Sequence, residues 1–157
     1  MNKAERRRGI YELTKFNPDE WSELLEAGCY PYVLDLKMND FFLIGDFIGK
    51  TCTSLTTDQE LIEIFKEELS SIFDLEVIEV STEYPLKEGE RKVYIQREDH
   101  TGYYHLLRQD NDGIWSHKCP RELPIREDSI GEIIKDPDMM VDTPFSGWCF
   151  LLKQRVS

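Results

Sequence analysis

Cys29 and His105 are the residues whose types and order could carry nucleophilic chemistry. Cys29 follows Gly28 and opens the apolar run Tyr30-Pro31-Tyr32-Val33-Leu34. A cysteine at a helix start lies where backbone N–H groups favour the thiolate, which is the nucleophilic form. His105 lies far downstream in Tyr103-Tyr104-His105-Leu106-Leu107-Arg108-Gln109-Asp110. A histidine facing such a cysteine takes the thiol proton and later returns it to a leaving amine. The Cys29 backbone N–H, at the helix start, is also available to hold an oxyanion.

His117 follows in Trp115-Ser116-His117-Lys118, beyond Asn111-Asp112-Gly113. That centre has the short polar side chains and the glycine of a tight turn, so residues 103–119 read as a β-hairpin. With a three-residue loop and a Gly bulge, His105, Leu107 and Gln109 share a face with Trp115, His117 and Cys119. With a four-residue loop they do not, because a one-residue change of register flips every side chain. The local pattern leaves both open. His117 is the first choice for the residue that orients the His105 ring, with Asp110, Asp128 and Asp136 as alternatives. Gln109, Tyr30 and Trp115 are expected at the substrate. Ser116 cannot work with His117, since adjacent strand residues point to opposite faces. Asp110 and Asp112 read as turn formers, and Arg108 as a solvated edge charge that could also touch substrate. His100 lies in a polar turn without an evident partner.

The elements that must position these groups fall into two halves. Residues 1–15 could form a short helix. Asn17-Pro18-Asp19-Glu20 carries a helix start, with Trp21, Leu24 and Leu25 on one face and Gly28 at its end. Cys29 to Lys37 is expected as the next helix, with Pro31 in its first turn. Phe41 to Gly49 is an apolar loop that could wall a groove. Thr57-Asp58-Gln59-Glu60 opens the clearest helix, whose stripe is Leu61, Ile62, Phe65, Leu69, Ile72 and Phe73 and whose wet face is Glu63, Lys66, Glu67 and Glu68. From Glu76 the period changes to two, and 76–81, 91–97, 103–109, 114–119 and 147–153 read as strands. Residues 120–145 read as loop, with a helical turn at 129–134. Helices followed by strands predict one α+β domain over 1–157, a helical part (1–75) packed on an antiparallel sheet of about five strands (76–157).

A chain of 157 residues that is 40% hydrophobic has room for one core. Its net charge of −12 disfavours direct contact with nucleic-acid phosphate and favours a basic partner. Cys29, Cys52, Cys119 and Cys149 fall in no metal-ligand spacing, so neither a metal nor another cofactor is expected. No stretch reads as a signal peptide or a membrane span, and the protein is expected to be cytoplasmic with reduced thiols.

Gly28-Cys29-Tyr30-x-Tyr32 together with Tyr104-His105-x-x-Arg108-Gln109-Asp110-x-Asp112-Gly113-x-Trp115-Ser116-His117-Lys118 resembles a group of bacterial and phage-associated proteins. Their pattern is Asn-Cys-Tyr-x-Tyr-Ala-Leu, then Tyr-His-x-Tyr-Arg-Gln-Asp-x-Asp-Gly-x-Trp-Ser-His-Lys-Pro-Gly, then Asp-Pro and an aromatic closing strand. This chain departs from it at Gly28 and at Cys119-Pro120. The Cys-before-His order is also similar to papain-like hydrolases, the CHAP and NlpC amidases among them. The resemblance implies a papain-like fold and a cysteine-dependent amide hydrolase, a peptidase, amidase or glutamine deamidase acting on a peptide or protein. From a different class, the acidic chain also reads as a non-enzymatic interaction protein of phage origin that binds a basic host protein.

Overall fold

A computed structural model describes residues 13–140 and 145–155. The sheet is five-stranded and antiparallel: β1 (Leu75–Glu79), β2 (Glu90–Glu98), β3 (Tyr104–Gln109), β4 (Trp115–Ser116) and β5 (Phe145–Gln154), in the order β1-β5-β2-β3-β4. Two α-helices, α1 (Cys29–Val33) and α2 (Asp58–Ser71), precede it in the chain. The architecture is therefore α+β, as the switch of period near residue 75 implies.

Helix α2 starts where its capping box places it. The Glu60 N–H donates to Thr57 Oγ1 at 3.1 Å and the Thr57 N–H donates to Glu60 Oε1 at 3.3 Å. Leu61, Phe65 and Leu69 bury their side chains with Val93, Ile95, Leu106, Phe150 and Leu152 of the sheet. Full burial of each such side chain is worth roughly 1.5–3 kcal/mol. A smaller cluster of Tyr94, Leu107, Trp115, Ile134 and Cys149 covers the opposite sheet face.

Glu68 corrects the wet face read from the helical pattern, for it is fully buried. Its carboxylate accepts from Tyr30 Oη at 2.5 Å, Gly45 N–H at 3.0 Å and Phe47 N–H at 2.8 Å. A charge in the core is tolerated when donors satisfy it, and these tie α1 and the 42–48 loop to α2.

The segment around Cys29 is less helical than its sequence predicts. Residues 18–21 form one 3-10 turn, and isolated turns continue to Ala27. Helix α1 stops at Val33 instead of Lys37, because Asp35 adopts a left-handed φ of 53°. The Leu36 N–H bonds to the Pro31 carbonyl at 2.9 Å and the Asp35 N–H to the Tyr32 carbonyl at 3.0 Å, a Schellman end with Asp where glycine is usual. The helical turn expected at 129–134 is reduced to one hydrogen-bonded turn, Gly131 N–H to the Asp128 carbonyl at 3.1 Å, closed by the bridge Glu127↔Ile133. Residues 1–12 of the short helix expected at the start lie outside the described residues.

The β3–β4 hairpin takes the bulged form. Asp110 N–H bonds to the Ile114 carbonyl at 2.9 Å, Gly113 has φ of 86°, and Gln109 lies opposite Trp115. Arg108 is not a solvated edge charge, being 1% exposed. Its guanidinium lies 3.8 Å from the Tyr32 ring centroid. It donates to the Tyr32 carbonyl at 3.0 Å and to Asp110 Oδ1 at 2.9 Å. Ser116 Oγ donates to Asp110 Oδ2 at 2.6 Å and so accepts from Tyr32 Oη at 2.7 Å.

Asp110→Ala would leave the buried guanidinium only the longer contact to Asp35 at 3.5 Å and is expected to lower the unfolding free energy by about 3 kcal/mol. Urea denaturation checks this, and a loss under about 1 kcal/mol would show that Asp110 does not neutralise Arg108.

Candidate functional site

Cys29 is the first residue of α1, and Gly28 before it lies against the Phe41 ring. A Cβ on Gly28 would lie 2.8 Å from Phe41 Cδ2, so the half-exposed Phe41 ring occupies the space of a side chain. The turn before Cys29 is held by Lys118, whose buried ammonium donates to the carbonyls of Ala27 at 2.5 Å, Leu25 at 3.0 Å and Cys119 at 3.3 Å. Those three bonds use all its protons.

The thiol sits at a gap in the sheet. β3 pairs with β2 so that the Glu98 N–H reaches the Tyr103 carbonyl, and alternation then turns the Leu106 amide away from β2. On that side β4 has already ended at Ser116, and His117 pairs with Ile125 instead. The N–H groups of Leu106, Cys29 and Tyr30 converge on the Cys29 sulfur and favour thiolate, but burial outweighs them and pushes the thiol up to about 11.

His105 lies opposite Gln96, on the sheet face away from Leu106 and the helix-side core. Its Nε2 is 2.9 Å from His117 Nδ1. His117 Nε2 is 2.9 Å from the Glu127 carbonyl, which only accepts, so Nε2 carries a proton. With a neutral His117 ring, Nδ1 is an acceptor and His105 Nε2 must donate to it. A neutral His105 then has a bare Nδ1 lone pair, free of any partner among the described residues. Burial, and next the neighbouring His117, push His105 down to about 3, so it is neutral near pH 7.

The structure thus brings the two histidines together and sets no hydrogen bond between Cys29 and His105. A groove of about 520 Å³ opens at the imidazole pair and at Cys119, and Cys29 does not line it. The other sequence-derived candidates have structural partners. Tyr30 is 1% exposed and bonded to Glu68, and Trp115 is fully buried in the smaller core, so neither presents a surface to substrate. Gln109 bonds to the Gly113 carbonyl at the far end of the hairpin. Asp110 belongs to Arg108, Asp136 caps the 137–139 turn, and Asp128 accepts from the N–H groups of Ile130 and Glu132. No group of three His, Cys, Asp or Glu among the described residues is placed to hold a metal ion. No helix there is long and apolar enough to cross a membrane.

No protein-family profile matches the chain, and no solved structure matches it. It is similar to Insoluble matrix shell protein 1 of Ruditapes philippinarum, 27% identical over 141 residues, which cover 86% of this chain and 88% of that protein.

Two measurements follow from the pair of neutral groups. The folded His105 binds its proton far more weakly than an unfolded histidine of pKa about 6.5, so its contribution is complete above that pH and is lost as the pH falls toward about 3. Stability should fall by up to about 1.4 kcal/mol per pH unit across that window, and His105→Asn should remove this part of the slope in urea titrations at each pH. Alkylation of Cys29 by iodoacetamide should rise about tenfold per unit between pH 7 and 9; a plateau there would reveal a preformed thiolate.

Proposed function

We propose that the chain is a cysteine hydrolase of amide bonds with a papain-like arrangement, in which Cys29 is the nucleophile, His105 the general base and His117 the residue that orients it. The observation that carries this reading is the hydrogen-bond relay from His105 Nε2 through His117 to the Glu127 carbonyl. It leaves His105 Nδ1 as the one basic lone pair of the relay, on the residue next to Leu106, whose N–H meets the Cys29 thiol.

In the forward step the thiol proton passes to His105 Nδ1 and sulfur attacks the carbonyl carbon. The oxyanion is held by the Cys29 N–H, the C–N bond breaks, and His105 gives its proton to the departing amine. Water then loses a proton to His105 as its oxygen attacks the thioester, the C–S bond breaks, and the proton returns to sulfur as the acid leaves. The resting neutral pair means that substrate must drive proton transfer. An amide lying over the site would exclude water and place its carbonyl against the backbone donors. No metal or organic cofactor takes part in this sequence, and a cytoplasmic setting that keeps the thiols reduced suits it.

The second reading is a non-enzymatic acidic protein, of phage origin, that binds a basic host protein. It is supported by the thiol pushed up to about 11, by the net charge of −12, and by a relative whose name describes a matrix protein. Under it the imidazole pair serves only to close the loop from β4.

Turnover of a peptide and amide panel separates the two. Cys29→Ala is expected to lower kcat/KM by about 10³-fold or more with an unchanged thermal midpoint, and His105→Ala by a similar factor. Full turnover by Cys29→Ala would overturn the hydrolase assignment. Inactivity of the parent protein, with salt-sensitive capture of a basic protein, would favour the second reading.

A further inference from the structure

The groove at the histidines has a composition the proposed chemistry does not require. Its floor is apolar, from Leu107, Ile125 and Met140, while carboxylates of Glu98, Glu127 and Asp128 stand along it. No lysine or arginine lines it. None of these carboxylates has a cationic partner among the described residues. Glu98 accepts from the Thr101 hydroxyl at 2.9 Å and Glu127 from the Arg126 N–H at 3.2 Å. Asp128 uses one oxygen, Oδ1, for the N–H groups of Ile130 and Glu132 at 3.0 and 2.9 Å. Each therefore keeps acceptor capacity for a further donor.

The location of the groove says which part of a substrate would enter it. It contains both imidazoles and not Cys29, and opens on the sheet face that carries His105. In amide hydrolysis the histidine delivers its proton to the departing nitrogen, which must lie beside the ring. The acyl part stays with sulfur. An apolar floor with carboxylates beside it suits a side chain that has a hydrocarbon stem and a cationic head. At about 520 Å³ the space has the size of a small-ligand site.

We propose that this groove binds the leaving-amine part of the substrate and selects there a lysine or arginine side chain. Its stem lies on Leu107, Ile125 and Met140, and its charge faces Glu98 and Asp128. The assignment of the amine side rests on the hydrolase reading, whereas the preference for a cation rests on the groove alone.

The two are separated by measuring binding apart from turnover. The full chain carrying Cys29→Ala is titrated with an Arg-Gly-Gly amide and with its norleucine counterpart, following the ring resonances of His105 and His117 by NMR. The arginine peptide is expected to bind about fivefold to tenfold more tightly, the size of one or two partly exposed ion pairs. The difference should vanish in Glu98→Gln/Asp128→Asn, a pair of changes in which the side-chain amide oxygen at position 128 still accepts the loop N–H groups. Equal binding of the two peptides, no binding of either, or a preference that survives the double substitution would overturn the proposal. Arginine-selective binding by a protein whose hydrolysis does not depend on Cys29 would keep the groove and remove the hydrolase. Cys29-dependent hydrolysis indifferent to arginine or norleucine after the scissile bond would do the reverse.

Discussion

A helix of five residues does not persist by itself in water, because nucleation costs more than one turn of hydrogen bonds returns. α1 persists because two buried guanidiniums take its last carbonyls. Arg108 donates to the Tyr32 carbonyl at 3.0 Å and Arg91 to the Val33 carbonyl at 3.2 Å. Both bases are strand residues, so the satisfaction of a helix end is also the docking of that helix on the sheet. Arg108 in turn requires an anion in the core. Asp110 supplies it from the hairpin, beside a longer contact to Asp35, and its carboxylate also accepts from Ser116 and Arg126. The docking of α1 on the histidine-bearing hairpin depends on this neutralisation.

Lys118 and Glu68 apply the same rule at the other two sides of α1. The ammonium holds the turn before Cys29 by its carbonyls, and the carboxylate holds Tyr30 and the 42–48 loop by their donors. Almost every polar residue of the Arg-Gln-Asp-x-Asp-Gly-x-Trp-Ser-His-Lys stretch thereby has a structural duty. His117 stands apart, since its bonds lead to another imidazole and to a backbone carbonyl, neither of which needs a histidine for neutrality. The two rings meet at 2.9 Å and border the groove.

The electrostatics of the site run against preformed charge. Burial is the main cause that pushes the thiol up, by more than the N–H groups near the sulfur restore, and burial with the neighbouring His117 pushes the His105 ring down. The acidic groove beside the rings has the sign that would stabilise an imidazolium as well as a cationic substrate.

The amino-acid sequence by itself determined the α+β order, the start of α2 at Thr57, the approximate extents of four of the strands, and the hairpin carrying His105 and His117. Each depends on nearest neighbours: a capping box, a period of two, a turn glycine. The choice of the bulged loop was left open there, and the sheet register decided it. The fates of Arg108, Asp110, Ser116, Lys118 and Glu68 were not legible, because a charged residue on a strand or a helix face reads as solvated until its partner is known. Those partners lie from 2 to 93 positions away along the chain. The early end of α1 was hidden for the same reason, since Asp35 accepts a left-handed backbone beside Arg108 and Lys37. Only the tertiary structure decided that Tyr30 and Trp115 belong to the core and that the two imidazoles meet, because burial and contact between distant segments are set by how the helices pack on the sheet.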